Sequence, residues 1–157
     1  MISVGEKLPT HVFQLLTSKG MQNPSTDDLF AGKKVVLFAV PGAFTPTCSE
    51  AHLPGYVVDA DQLKAKGVDS IICIAVNDAF VMKAWGESQN AEAITMLADG
   101  DGSFTKAIGL DMATGAFGGL RSQRYSMLVD DGTVTQLNVE QPKQFEVSTS
   151  DYMLQLL

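Results

Sequence analysis

Cysteine is scarce in this chain: two among 157 residues, at positions 48 and 73. That is too few for the disulfide framework of a small secreted domain. The N-terminus, MISVGEKLPTHVF, has no basic stretch leading into an apolar one. Together these predict a soluble protein of a reducing compartment, the cytoplasm. A run of about 18 or more apolar residues occurs nowhere, which excludes a membrane-spanning helix. Positive charge is also short, with 11 Lys and Arg against 18 Asp and Glu and a formal net charge of −7. Such a balance displaces no counterions from a polyanion, so nucleic acid and anionic membrane are excluded as partners. Cys48, His52, Cys73 and His11 lack the paired spacing of a zinc site, and no glycine-rich phosphate loop occurs. Neither a metal nor a cofactor is expected.

What is present is the material of one globular domain, residues 1–157. Apolar residues make up 45% and charged residues 18%, and a chain of this length buries about two-thirds of the surface it exposes when unfolded. The apolar, β-branched runs KKVVLFAV (33–40) and VDSIICIAV (68–76) read as strands covered on both faces. Between them, Leu53, Tyr56, Val57, Ala60 and Leu63 recur near helical spacing, predicting a helix from Cys48 to about Gly67. Asn77 and Asp78 can cap a second helix over AFVMKAWGES. AITMLAD reads as a third strand and GSFTKAIGL as a short helix. Asp131-Gly132 marks a hairpin within RYSMLVDDGTVTQLNVE. Ser/Asp capping chemistry precedes a terminal helix in TSDYMLQLL, and the glycine-rich stretch 109–123 reads as a functional loop. These elements predict an α/β sandwich around a mixed sheet.

Chemistry concentrates around VPGAFTPTCSEAHLPGY (40–56). Cys48 follows a strand across a turn containing Pro41, Gly42 and Pro46 and opens a helix, whose terminal N–H groups favour an anion. Thr45, three residues earlier, offers a hydroxyl that both donates and accepts. The only two arginines are Arg121 and Arg124, and a guanidinium beside a sulfur favours the thiolate. Taken alone, a cysteine is more often a small buried hydrophobe; turn, helix start and hydroxyl together favour a reactive one. His52, four residues on, leaves open a Cys-His pair of the hydrolytic kind, or a structural histidine at a kink set by Pro54.

Pro41-x-x-x-Thr45-x-x-Cys48 resembles the active-site signature of the peroxiredoxins, and PGAFTPTCSEAHLPGY resembles the type 5 subfamily. The resemblance continues through CIAVNDAFVMKAW, DGSFTKAIGL and RYSMLVDDGTV, nearly the whole chain in order. It implies a thioredoxin-like fold, a mixed central β-sheet with helices on both faces. It also implies an antioxidant peroxidase of hydrogen peroxide and alkyl hydroperoxides. Cys48 would be the peroxidatic cysteine, oxidised to a sulfenic acid. Thr45 would position the peroxide, Arg124 would stabilise charge over the breaking O–O bond, and Pro41 would shield the thiolate. Arg121 competes for that arginine role, with a solvated loop charge as its alternative.

Cys73, inside a strand, is either an inert buried thiol or a second redox cysteine. Some type 5 members carry a resolving cysteine near the C-terminus, where this chain has FEVSTSDYM. The expected cycle therefore uses one cysteine, reset by glutathione or a glutaredoxin, with thioredoxin as the alternative reductant. The subfamily also implies a homodimer. Phe44, Thr47 and Phe117 are candidates for its contact or for the substrate pocket, core packing being the alternative for the two phenylalanines. A redox-sensing interaction protein using the same cysteine is the competing function.

Overall fold

In the computed structural model, which describes residues 1–157, the apolar runs form the middle of a five-stranded sheet. Its strands in chain order are β3 (Lys34–Ala39), β4 (Ser70–Ala75), β5 (Thr95–Ala98), β8 (Tyr125–Asp130) and β9 (Thr133–Val139). Their spatial order is β5-β4-β3-β8-β9. β3, β4 and β5 run parallel, while β8 lies antiparallel to β3 and β9 to β8, so the sheet is mixed as predicted. Register places Phe38 opposite Cys73 on one side and Ser126 on the other.

Alternation along the strands divides the core in two. Val36, Phe38 and Val40 face a layer built from α2 (Leu53–Ala65), α3 (Ala79–Ser88) and α5 (Ser150–Leu156). Val35, Leu37 and Ala39 face Phe30 of α1 (Thr26–Phe30), Phe104 of α4 (Ser103–Ala107) and Phe13. With apolar layers on both faces, β3 must be apolar at every position, which is why it reads as a continuous run. This is the thioredoxin-like arrangement of a mixed sheet between helices.

Local signals account for several boundaries. Asp78 caps α3 by accepting the Val81 N–H at 2.8 Å, and Asp131 (φ 49°) and Gly132 (φ 78°) make the tight turn between β8 and β9. The α5 cap is Thr149, whose hydroxyl accepts from the Tyr152 N–H, while Ser150 bonds Asp59. Two expectations need correction and one element adds to them. The stretch 109–123 is not all loop: Asp111–Ala113 (β6) and Leu120–Ser122 (β7) pair as a hairpin too short to show periodicity. The N-terminal hairpin of β1 (Leu15–Thr17) and β2 (Gly20–Gln22) is likewise too short to show periodicity. Finally, the helix after β3 does not begin as a regular α-helix, because Cys48–His52 form a π-turn that hands over to α2 at Leu53. Leu53 N–H bonds the Cys48 carbonyl five residues back. Pro54 has no N–H for Glu50 and would clash with that carbonyl in an α-helix, so widening the turn accommodates it.

Candidate active site

β3 delivers the chain to the C-terminal edge of the sheet, where the turn at 41–45 is tied down from three directions. Ala43 N–H donates to Asn77 Oδ1 at 3.0 Å, Thr45 Oγ1 donates to the Gly42 carbonyl at 2.6 Å, and Arg121 Nη1 donates to the Pro41 carbonyl at 3.4 Å. A Cβ on Gly42 would lie 2.5 Å from Arg121 Nη1, so glycine is needed for this approach. Arg121 is thus not a free loop charge; it braces the turn and lies 5.3 Å from the Phe117 ring centroid. Because the Thr45 hydroxyl spends its proton on Gly42, its lone pairs remain to accept from a ligand. The Thr45 carbonyl accepts the Ser49 N–H at 2.9 Å, which starts the helix.

Cys48 sits in that first turn with its side chain fully buried. β8 is preceded by Arg124, which reaches across the sheet edge so that Nη2 donates to Cys48 Sγ at 3.0 Å. The same guanidinium places Nη1 2.7 Å from His52 Nδ1. An arginine has donors only, so His52 Nδ1 must be the unprotonated nitrogen and the proton sits on Nε2. Nε2 then donates to the Ser148 carbonyl, 3.0 Å away, which also accepts from Tyr56 Oη at 2.9 Å. Burial, with the Arg124 charge second, lowers the His52 pKa from 6.5 to about 3, against the effect of the Ser148 bond. Both imidazole nitrogens are therefore committed, and none is left to act as a base for Cys48. The hydrolytic Cys-His pair has no place in this geometry.

Phe145 lies under this group, its ring centroid 5.7 Å from Arg124 Cζ and edge-on to His52 at 5.1 Å. A cleft of about 450 Å³ opens beside it, lined among others by Pro41, Thr47, Gln123, Arg124, Lys143 and Phe145. A separate groove of about 430 Å³ between β1 and α3 holds neither a cysteine nor an arginine. Phe44 and Phe117 are not core residues: they are 56% and 83% exposed. Phe44 also adopts φ 64°, a backbone region that costs a non-glycine residue about 1–2 kcal/mol. Cys73 is a free, fully buried thiol in the same apolar layer as Cys48. Burial pushes its pKa well up and Cys48 adds to this, with Arg124 opposing.

Local spacing grouped Pro41, Thr45 and Cys48, the family resemblance named Arg124, and the structure brings Arg124 onto the Cys48 sulfur. Sequence reasoning singled out neither Ser148, whose carbonyl is bonded from His52 and Tyr56 more than ninety positions away, nor Glu140, whose carboxylate bonds the backbone of an irregular loop six to eight residues on. Trp85, whose Nε1 donates to Ser49 Oγ at 2.9 Å, was likewise missed as a tie between α3 and the turn carrying the cysteine.

Comparison with known proteins agrees with this arrangement. The Redoxin family model matches residues 3–154. The chain is 46% identical over 159 residues to Peroxiredoxin-2B of Arabidopsis thaliana, covering 99% of this chain and 98% of that protein. Among solved structures it is similar to reduced Prx3 from Vibrio vulnificus in complex with hydrogen peroxide. The identity is 67%, with 99% of each chain covered and a TM-score of 0.98. It is also similar to peroxiredoxin 5 from Alvinella pompejana, at 36% identity and a TM-score of 0.85, covering 99% of this chain and 97% of that one.

Proposed function

The chain belongs to the redoxin family as a peroxiredoxin, a thiol peroxidase, and from that premise we propose that Cys48 is the residue that peroxide oxidises. The observation that carries the reading is the single guanidinium of Arg124 held against Cys48 Sγ. The thiolate attacks one peroxide oxygen, the O–O bond breaks, and the departing oxygen leaves as water or an alcohol after taking a proton. Cys48 is left as a sulfenic acid. Arg124 stabilises the negative charge as it moves from sulfur to the leaving oxygen. Thr45 accepts a hydrogen bond from the hydroperoxide, and Pro41 keeps water from the sulfur. Hydrogen peroxide and alkyl hydroperoxides are the substrates.

We further propose a one-cysteine cycle within the type 5 subfamily. Glutathione, alone or through a glutaredoxin, attacks the sulfenic acid, releases water and forms a mixed disulfide that a second thiol reduces. Support comes from Cys73, whose buried thiol resists ionisation and so makes a poor resolving nucleophile. The segment FEVSTSDYM, where a resolving cysteine would stand in some type 5 proteins, instead supplies Phe145 and Ser148 beside the site. Likeness to peroxiredoxin 5 of Alvinella pompejana supports the subfamily. Two unpaired cysteines fit a reducing compartment such as the cytoplasm. The exposed Phe44 and Phe117 are proposed to pair two copies of the chain.

Stopped-flow mixing with hydrogen peroxide tests the central claim. Oxidation is expected to be fast in the wild type and absent in Cys48→Ser; equal rates in both would overturn it. Recycling by glutathione with glutaredoxin, compared with thioredoxin, decides the reductant, and stoichiometric oxidation without turnover would favour the redox-sensing role.

A further inference from the structure

Directly after β9, Glu140 is buried at 8% exposure and makes an unusual set of contacts. One carboxylate oxygen, Oε2, accepts from the backbone N–H groups of Glu146, Val147 and Ser148 at 2.8, 2.9 and 2.8 Å. It also accepts from the Ser148 hydroxyl at 2.6 Å. All four partners are donors, so this oxygen serves only as an acceptor, shared among three backbone N–H groups and one hydroxyl. The main chain of Glu140 is tied as well, its N–H donating to the Arg124 carbonyl at 3.0 Å.

These contacts close a ring. Glu140 begins on the backbone of Arg124 and, through its side chain, locks the 146–148 backbone. That segment aims the Ser148 carbonyl at His52 Nε2, and His52 Nδ1 receives Arg124 Nη1. Phe145, carried by the same loop, packs against both. We propose that Glu140 is a positioning residue for the peroxidase reaction: by clamping residues 146–148 it sets the tautomer and orientation of His52, which in turn sets the plane of the Arg124 guanidinium over Cys48. Glu140 does not touch substrate; its effect passes through three intervening groups. The inference rests on the reading of Arg124 and Cys48 as the reacting pair.

The physical need is specific. An arginine side chain at a half-buried site has many rotamers, and a bond from Nη2 to sulfur fixes only one edge of the plane. A second acceptor on Nη1 fixes the rest. The imidazole can serve as that acceptor only when its proton is held on Nε2, and the Ser148 carbonyl holds it there. That carbonyl lies on a loop otherwise free of regular structure, so an anchored loop is a requirement.

Glu140→Gln and Glu140→Ala test the proposal with two readouts. In ¹⁵N NMR near neutral pH, His52 is expected as the pure Nε2–H tautomer in the wild type and as a tautomer mixture in Glu140→Ala. In stopped-flow oxidation by hydrogen peroxide, followed by Trp85 fluorescence, Glu140→Ala is expected to slow the reaction about tenfold or more, with Glu140→Gln slowed about threefold. In a His52→Phe background the Glu140→Ala penalty should fall below about twofold, because both changes break one chain. Wild-type rates and an unmoved His52 tautomer in the folded Glu140 variants would overturn the inference. So would a penalty that persists undiminished in His52→Phe, the mark of a merely structural role. Should Glu140→Ala fail to fold, Glu140→Gln decides by the same criteria. Oxidation surviving in Cys48→Ser would refute the Cys48 reading instead, and the His52 tautomer would still judge the clamp.

Discussion

His52 illustrates how a residue can be located in the sequence while the choice between two roles is left to the structure. Its position four residues after Cys48 suggests a partner for the sulfur, yet the imidazole bonds Arg124 and Ser148 and acts on the arginine. The same burial makes it a pH liability. Its pKa is lowered from 6.5 to about 3 in the folded protein. Between those values the unfolded chain binds a proton that the folded one refuses, so stability falls as pH drops through this window. From the 6.5 and about 3 values, the loss attributable to His52 is about 2 kcal/mol at pH 5 relative to pH 7.5. Urea unfolding at the two pH values checks this, since His52→Phe should lack that part of the acid sensitivity. An identical pH slope in both proteins would show that the imidazole is protonated without penalty. Proximity in sequence suggested the contact; the order of bonding depended on Arg124, 72 positions away.

Among the elements, those with period and length were legible and those built from three residues were not. β3 and β4 declare themselves because both faces are buried, and α3 declares its start through Asp78. β6 and β7 span three residues each and rest on register with one another, which no window of sequence displays. α4 is short too, and its first turn depends on a residue outside it. Asp99, 2% exposed at the end of β5, accepts from Phe104 N–H, Thr105 N–H and Thr105 Oγ1 at 3.2, 2.8 and 2.7 Å. Replacing it with alanine leaves three buried donors unpaired, and the expected loss is about 2–4 kcal/mol in chemical denaturation. Peroxide reactivity of the folded fraction should be retained, because Asp99 belongs to the layer opposite Cys48. A loss under about 0.5 kcal/mol would mean that water replaces the carboxylate.

At the scale of the whole molecule, two exposed phenylalanines bear on association. Phe117 is 83% exposed and Phe44 56% exposed on turns that flank the site, and large apolar groups in such places mark contact surfaces. Sedimentation velocity should show a wild-type dimer that Phe117→Asp converts to monomer with little change in thermal stability, since the side chain buries almost nothing within one chain. A wild-type protein that stays monomeric at high micromolar concentration would refute the pairing. No helix is long and apolar enough to cross a membrane. By itself, the sequence determined the sheet's central strands, the Asp78 cap of α3, and the cluster of Pro41, Thr45 and Cys48, because each rests on neighbours within a few positions whose conformations are set locally. Only the tertiary structure decided that one arginine bridges Cys48 and His52, that a π-turn carries the cysteine, and that Glu140 and Ser148 stand behind them. Those contacts join segments up to about a hundred residues apart, and hydrogen bonds formed across a sheet edge obey distance and angle in space, with no imprint on the spacing of residues along the chain.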